Sequence, residues 1–159
     1  MYIDMAVYTI KVSQQLPISL EHAWDFISSP YNLQKITPAE MNFKILNGVK
    51  PEDKMHAGQV IVYSLTPLLG IRTEWVTEIT HMHQHEYFID EQRFGPYSLW
   101  HHMHSLKAID GGVQMDDVIH YKLPFGILGQ LIHFVLIRKK LKTLFDYRRI
   151  TLEKLFGKM

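Results

Sequence analysis

Two histidines separated by one residue, His102 and His104, stand in a run of alternating character, and an acid, Asp117, stands in the run that follows. A carboxylate facing an imidazole fixes the tautomer of the ring and can poise it as a general base. Whether the two meet depends on the turn between them. Asp110-Gly111 is the strongest short hairpin signal available, and with those residues as the loop Ile109 faces Gly112. That register sets Leu106 opposite Met115, His104 opposite Asp117, His102 opposite Ile119 and Trp100 opposite Tyr121. Trp100, His102, His104, Asp117 and Tyr121 then share one face. His104 backed by Asp117 is the candidate catalytic pair, but the same pair also serves as a structural contact across a half-buried sheet. Alternation alone does not say which face looks inward.

The i, i+2 spacing of His102 and His104 would also let two imidazoles share a metal, with Asp117 as third ligand, and His81-x-His83-x-His85 repeats it in a connection. Histidines at this spacing are more often a polar strand face, and no supporting second shell is evident, so no metal is expected. His81 to His85 are expected to be solvated.

The elements that must position these residues follow from periodicity. Ala6 to Leu16 alternates as a first strand, and Ser19 caps a short helix carrying Leu20, Ala23, Trp24 and Ile27. A second short helix begins near Pro30. Further strands are expected around Phe43–Ile45, Gln59–Thr66, Ile71–Thr80, Glu86–Phe94, Ser98–Ile109 and Val113–Leu123. Ile71, Thr73, Trp75, Thr77 and Ile79 share a face in this reading. Pro67-Leu68-Leu69-Gly70 is an apolar turn, where loops are usually polar. After Leu123-Pro124-Phe125-Gly126 the chain has no glycine or proline between Gly129 and Gly157, which predicts a long helix over Ile127 to about Phe156, roughly 45 Å in length. The strands most simply form one antiparallel meander whose apolar face the helix covers, with the gap between as a cavity.

Composition narrows the function classes. A chain of 159 residues suits one domain spanning 1–159, and the 47% apolar and 21% charged fractions are those of an ordinary globular protein. With 17 basic against 16 acidic residues there is no global field for nucleic acid, and none is expected as a partner. The absence of cysteine excludes disulfides and thiolate chemistry. Met1 to Ala6 carries an acid where a signal peptide carries basic residues, and Ile127 to Ile137 is too short for a transmembrane segment, so a cytoplasmic location is expected. No nucleotide-binding glycine loop or nucleophile elbow is present, and no cofactor is expected.

The order of elements, with Gly95-Pro96-Tyr97, Trp100-x-His102-x-His104, Tyr121-x-Leu123-Pro124-Phe125-Gly126-x-Leu128-Gly129 and Phe145-x-Tyr147-Arg148, resembles the SRPBCC or START-like superfamily. The likeness is greatest to its uncharacterised bacterial ligand-binding or polyketide cyclase/dehydrase-like branch, and it covers essentially the whole chain. It implies an α+β helix-grip fold, β-α-α-β-β-β-β-β-β-α, with an internal cavity for apolar small molecules.

The leading expectation is a binding module for a hydrophobic or aromatic small molecule, a lipid or polyketide-like, held between the sheet and Ile127–Leu144. Its expected contacts are Tyr63, Trp75, Trp100, His102, His104, Asp117 and Tyr121 from the strands, and Phe125, Leu128, Leu131, Ile132 and Val135 from the start of the helix. Leu68 and Leu69 are expected as a mobile gate or a packing contact. The alternative is a cyclase or dehydratase with His104 as base. Leu141, Leu144, Phe145, Leu152, Leu155 and Phe156 form a core stripe. Arg138, Lys139, Lys140, Lys142, Arg148 and Arg149 read as a solvated face, with weak membrane-surface contact as the other reading.

Overall fold

The computed structural model describes residues 6–68 and 70–159, and of residues 67 and 68 the backbone alone. In chain order the elements are β1 (Tyr8–Leu16), α1 (Leu20–Ile27), α2 (Pro30–Lys35), a 3-10 turn (Ala39–Met41), β2 (Lys44–Ile45), β3 (Val60–Leu68), β4 (Ile71–His83), β5 (Tyr87–Phe94), β6 (Leu99–Ile109) and β7 (Gly112–Lys122). A terminal helix follows, made of α3 (Gly126–Ile132), a π-helical turn (His133–Ile137) and α4 (Arg138–Phe156). This is the expected α+β order. β4 extends three residues past its expected end, so His81 and His83 lie on a strand, where both are exposed.

All seven strands form one antiparallel sheet in the order β1-β7-β6-β5-β4-β3-β2. The β6–β7 register is the one that the Asp110-Gly111 turn dictates, with His104 opposite Asp117 and Trp100 opposite Tyr121. Irregularities in β3–β4 and β4–β5 bend the sheet, as bulges do. On β4 the buried residues Trp75, Thr77 and Ile79 alternate with their half-buried neighbours, as the sequence predicts.

The concave face packs against α1 and the terminal helix, whose residues Trp24, Phe26, Leu141, Phe145 and Leu152 join Leu16, Ile79, Leu106, Val113 and Ile119 in one core. Ser19 caps α1 through a hydrogen bond from the His22 amide at 3.2 Å.

As far as Phe145 the terminal helix buries Gly129, His133, Ile137, Leu141 and Phe145, every fourth residue. In an uninterrupted α-helix such a stripe drifts by about 40° per step and would leave the sheet within this span. The π-helical turn accommodates one extra residue and brings the stripe back. Glycine is required at position 129 by the entry to α3, because a Cβ there would collide with the Pro124 carbonyl oxygen.

Candidate functional site

Inward positions of β3 to β7 and the inner side of α4 enclose a cavity of about 240 Å³. Tyr63, Trp75, Tyr97 and Trp100 form an aromatic wall, with ring centroids 4.9 Å apart for Tyr97–Trp100, 5.3 Å for Trp75–Trp100 and 6.2 Å for Tyr63–Trp75. The opposite wall is Ile137, Leu141, Leu144 and Leu152. Phe26 of α1, Leu33 of α2 and Ile36 just after it help complete the lining.

Set into this apolar surface are four groups from three adjacent strands: Asp90 on β5, His102 and His104 on β6, and Asp117 on β7. Asp90 is the register partner of His102, and Asp117 of His104. The contacts run both straight across and diagonally. His104 Nε2 donates to Asp90 Oδ2 at 2.9 Å, and its Nδ1 lies 2.8 Å from Asp117 Oδ1. His102 Nε2 donates to Asp117 Oδ1 at 2.9 Å, and its Nδ1 lies 3.5 Å from Asp90 Oδ2. The two imidazoles overlap, with centroids 3.7 Å apart, and Phe88 stacks on His104 at 4.3 Å.

The electrostatics separate the two histidines. Burial opposes the charge on His104, but the charge of Asp117, and hydrogen bonds to Asp117 and Asp90, outweigh it and raise its pKa to about 9. Burial and the neighbouring His104 charge push His102 below the ordinary imidazole value. Burial would raise both carboxyls, yet the imidazoles hold Asp117 far below, and Asp90 below, the usual range. At neutral pH the group therefore comprises two carboxylates, one imidazolium and one neutral imidazole. Its remaining negative charge is met by Arg148 of α4, which lines the same cavity. Burial lowers the pKa of that guanidinium, while Asp117, Asp90 and Tyr63 act against the shift. Arg148 also lies over the Phe145 ring, 5.2 Å from its centroid.

This arrangement can do two kinds of chemistry. His104 is a proton donor at neutral pH and becomes a base only above about pH 9. The donor atoms of Asp90, His102 and His104 also lie within 4.8 Å of one another, a set whose chemistry fits a divalent transition ion in place of the bridging proton.

Of the residues expected to bind ligand, Tyr63, Trp75, Trp100, His102, His104 and Asp117 line the cavity. Tyr121 does not; it is buried beside His133, with its hydroxyl 2.8 Å from His133 Nε2. Phe125, Leu128, Leu131, Ile132 and Val135 are exposed on the outside, because only every fourth residue of α3 and the π-helical turn faces the sheet. The cavity wall thus runs from Ile137 to Leu152; it overlaps the expected Ile127–Leu144 at the end of that range and continues where the sequence pattern predicts a core scaffold. Arg148, which the same pattern places on a solvated face, points inward. Asp90 carries no sequence signal, because its partners lie across the less regular β5–β6 connection. Leu69 lies outside the described residues, as does the side chain of Leu68.

No protein-family model matches the chain, and no curated protein matches it in sequence. Solved structures do match in shape. TTHA0849 from Thermus thermophilus superposes with a TM-score of 0.72 at 12% identity, over 92% of this chain and 95% of its own. Protein CV1439 from Chromobacterium violaceum gives 0.68 at 14%, over 95% and 99%. Ginseng major latex-like protein 151 from Panax ginseng gives 0.68 at 10%, over 94% and 97%. The chain shares the fold of these structures, a curved seven-stranded antiparallel sheet gripping a C-terminal helix. In this helix-grip chain the gripped helix is in two phases, joined at the π-helical turn, and the second phase faces the cavity.

Proposed function

We propose that this helix-grip protein binds a compact, ring-sized and largely apolar small molecule carrying a hydrogen-bond acceptor such as a carbonyl or carboxylate. The observation that carries this reading is a pair of buried donors on the cavity lining, Trp75 Nε1 and Arg148 Nε. Among the described residues neither meets a hydrogen-bond partner. Buried N–H groups are rarely left so, since each costs about 1–3 kcal/mol. An acceptor on a ligand would give such a donor its partner.

The size of the cavity supports the same reading. An apolar cavity of about 150 Å³ holds benzene, and common small-molecule sites begin near 300 Å³. At about 240 Å³ this one suits one or two rings better than a long acyl chain. The aromatic wall would supply area and the charged group at its floor would set orientation. For the cyclase reading, inward-facing His104 and Asp117 meet the geometric condition, but an imidazolium held between two carboxylates is an acid rather than a base.

An aromatic carboxylate, 1-naphthoate, tests the proposal by titration calorimetry together with uncharged naphthalene. The acid should bind more tightly, and Arg148→Met should weaken it at least tenfold while leaving naphthalene within about twofold. Equal affinity of both probes for the native protein and for Arg148→Met would overturn the acceptor requirement. No binding of either would overturn the cavity as a ligand site.

A further inference from the structure

We propose that the outer side of the first half of the terminal helix docks this protein onto an anionic lipid bilayer. The four-residue stripe that faces the sheet leaves Phe125, Ile127, Leu128, Leu131, Phe134 and Val135 between 59% and 79% exposed. Monomeric proteins rarely show a contiguous apolar surface of this kind, and one usually marks an interaction site. The strand register extends it. Ile71, Phe94 and Leu99, all exposed, stand at the strand ends that share one edge of the sheet with the start of α3.

Charge decides what would cover this surface. From Val118 to Phe145 the chain contains no acid, and the helical turns after Val135 carry exposed Arg138, Lys139, Lys140 and Lys142. Among the described residues only Lys142 of these four is paired, with Asp146 at 2.6 Å. Leucine and phenylalanine followed by a basic band is the chemistry of an interfacial helix, whose apolar side enters the acyl boundary while cations meet anionic headgroups. A second copy of the chain would bring the same basic band against this one, and like charges facing each other are unfavourable. No helix among the described residues is long and apolar enough to cross a bilayer, so the contact would be in the plane of the surface.

Co-sedimentation of the full chain with vesicles of phosphatidylcholine and phosphatidylglycerol at about 70:30, against pure phosphatidylcholine, tests the proposal. Binding should be confined to the anionic vesicles and fall severalfold between about 50 mM and about 500 mM salt. Phe134→Glu/Val135→Glu should reduce it at least tenfold, and Arg138→Glu/Lys139→Glu should abolish the preference for anionic lipid. Because these side chains are exposed, circular dichroism and Tm should match the native protein. Three results would overturn the proposal: no sedimentation with anionic vesicles, sedimentation unchanged by Phe134→Glu/Val135→Glu, or a dimer in sedimentation velocity that this variant dissociates.

Discussion

At the scale of single residues, the four interleaved groups Asp90, His102, His104 and Asp117 give the protein a two-sided dependence on pH. The folded pKa of His104, about 9, lies above its unfolded value near 6.5, so its contribution is fully present below that value and is lost as pH rises through 9. The carboxyls are held below their unfolded values, so theirs is present above about pH 4 and lost on acidification. His102 is shifted down, so protonating it in acid also costs stability. Tm should therefore fall on both sides of a plateau. The alkaline fall between about pH 7 and about pH 10 should be markedly shallower in His104→Gln, measured by thermal unfolding across that range. An equal alkaline slope in variant and native protein would rule out this origin.

At the scale of elements, the contact between β7 and the π-helical turn rests on two buried polar atoms, the Tyr121 hydroxyl and His133 Nε2, with the His133 ring stacked 3.5 Å from Tyr8. Removing the hydroxyl leaves the imidazole nitrogen without its partner. Tyr121→Phe should cost about 1–3 kcal/mol in denaturant unfolding and should not alter ligand affinity, since Tyr121 lies off the cavity lining. A change in affinity with no change in stability would reverse the roles assigned here. The β6–β7 hairpin is legible in the sequence because a two-residue turn of defined chemistry propagates its register along both strands, which is how His104 and Asp117 can be paired from residue types alone. Asp90 is not legible, because β5 reaches β6 through a connection whose geometry no residue type dictates. Arg148 misleads for a different reason. It stands at the inner spacing of its neighbours, four residues after Leu144 and four before Leu152, but a cation in a run rich in Arg and Lys reads as solvent-facing. The exposed residues from Phe125 to Val135 read as cavity lining on the ordinary expectation that clustered apolar side chains are buried.

At the scale of the whole molecule, the cavity lies between the sheet and the inner side of α4, so filling it should exchange function for stability. Leu144→Phe adds volume from the helix side toward the aromatic wall. It should raise stability by about 0.5–2 kcal/mol, as cavity-filling changes do, and abolish binding of naphthalene-sized probes. Retained binding would place the probe elsewhere. The fold itself is legible, since one long run without glycine or proline after seven strand-like segments leaves few other ways to cover a sheet.

The π-helical turn also has a consequence for chain length. Reading 129, 133, 137, 141 and 145 as contacts, deletion of one outward residue between His133 and Ile137 converts the spacing 4-4-4-4 into 4-3-4-4, which cuts the drift of a plain α-helix over the span from about 160° to about 60°. The π-helical turn thus holds one residue more than an α-helical path between the same contacts needs. Deleting Val135, exposed at 79%, should therefore be tolerated where most helix deletions are not, with Tm within a few degrees of the native protein. A Tm loss beyond about 10 °C would mean that the extra residue is required.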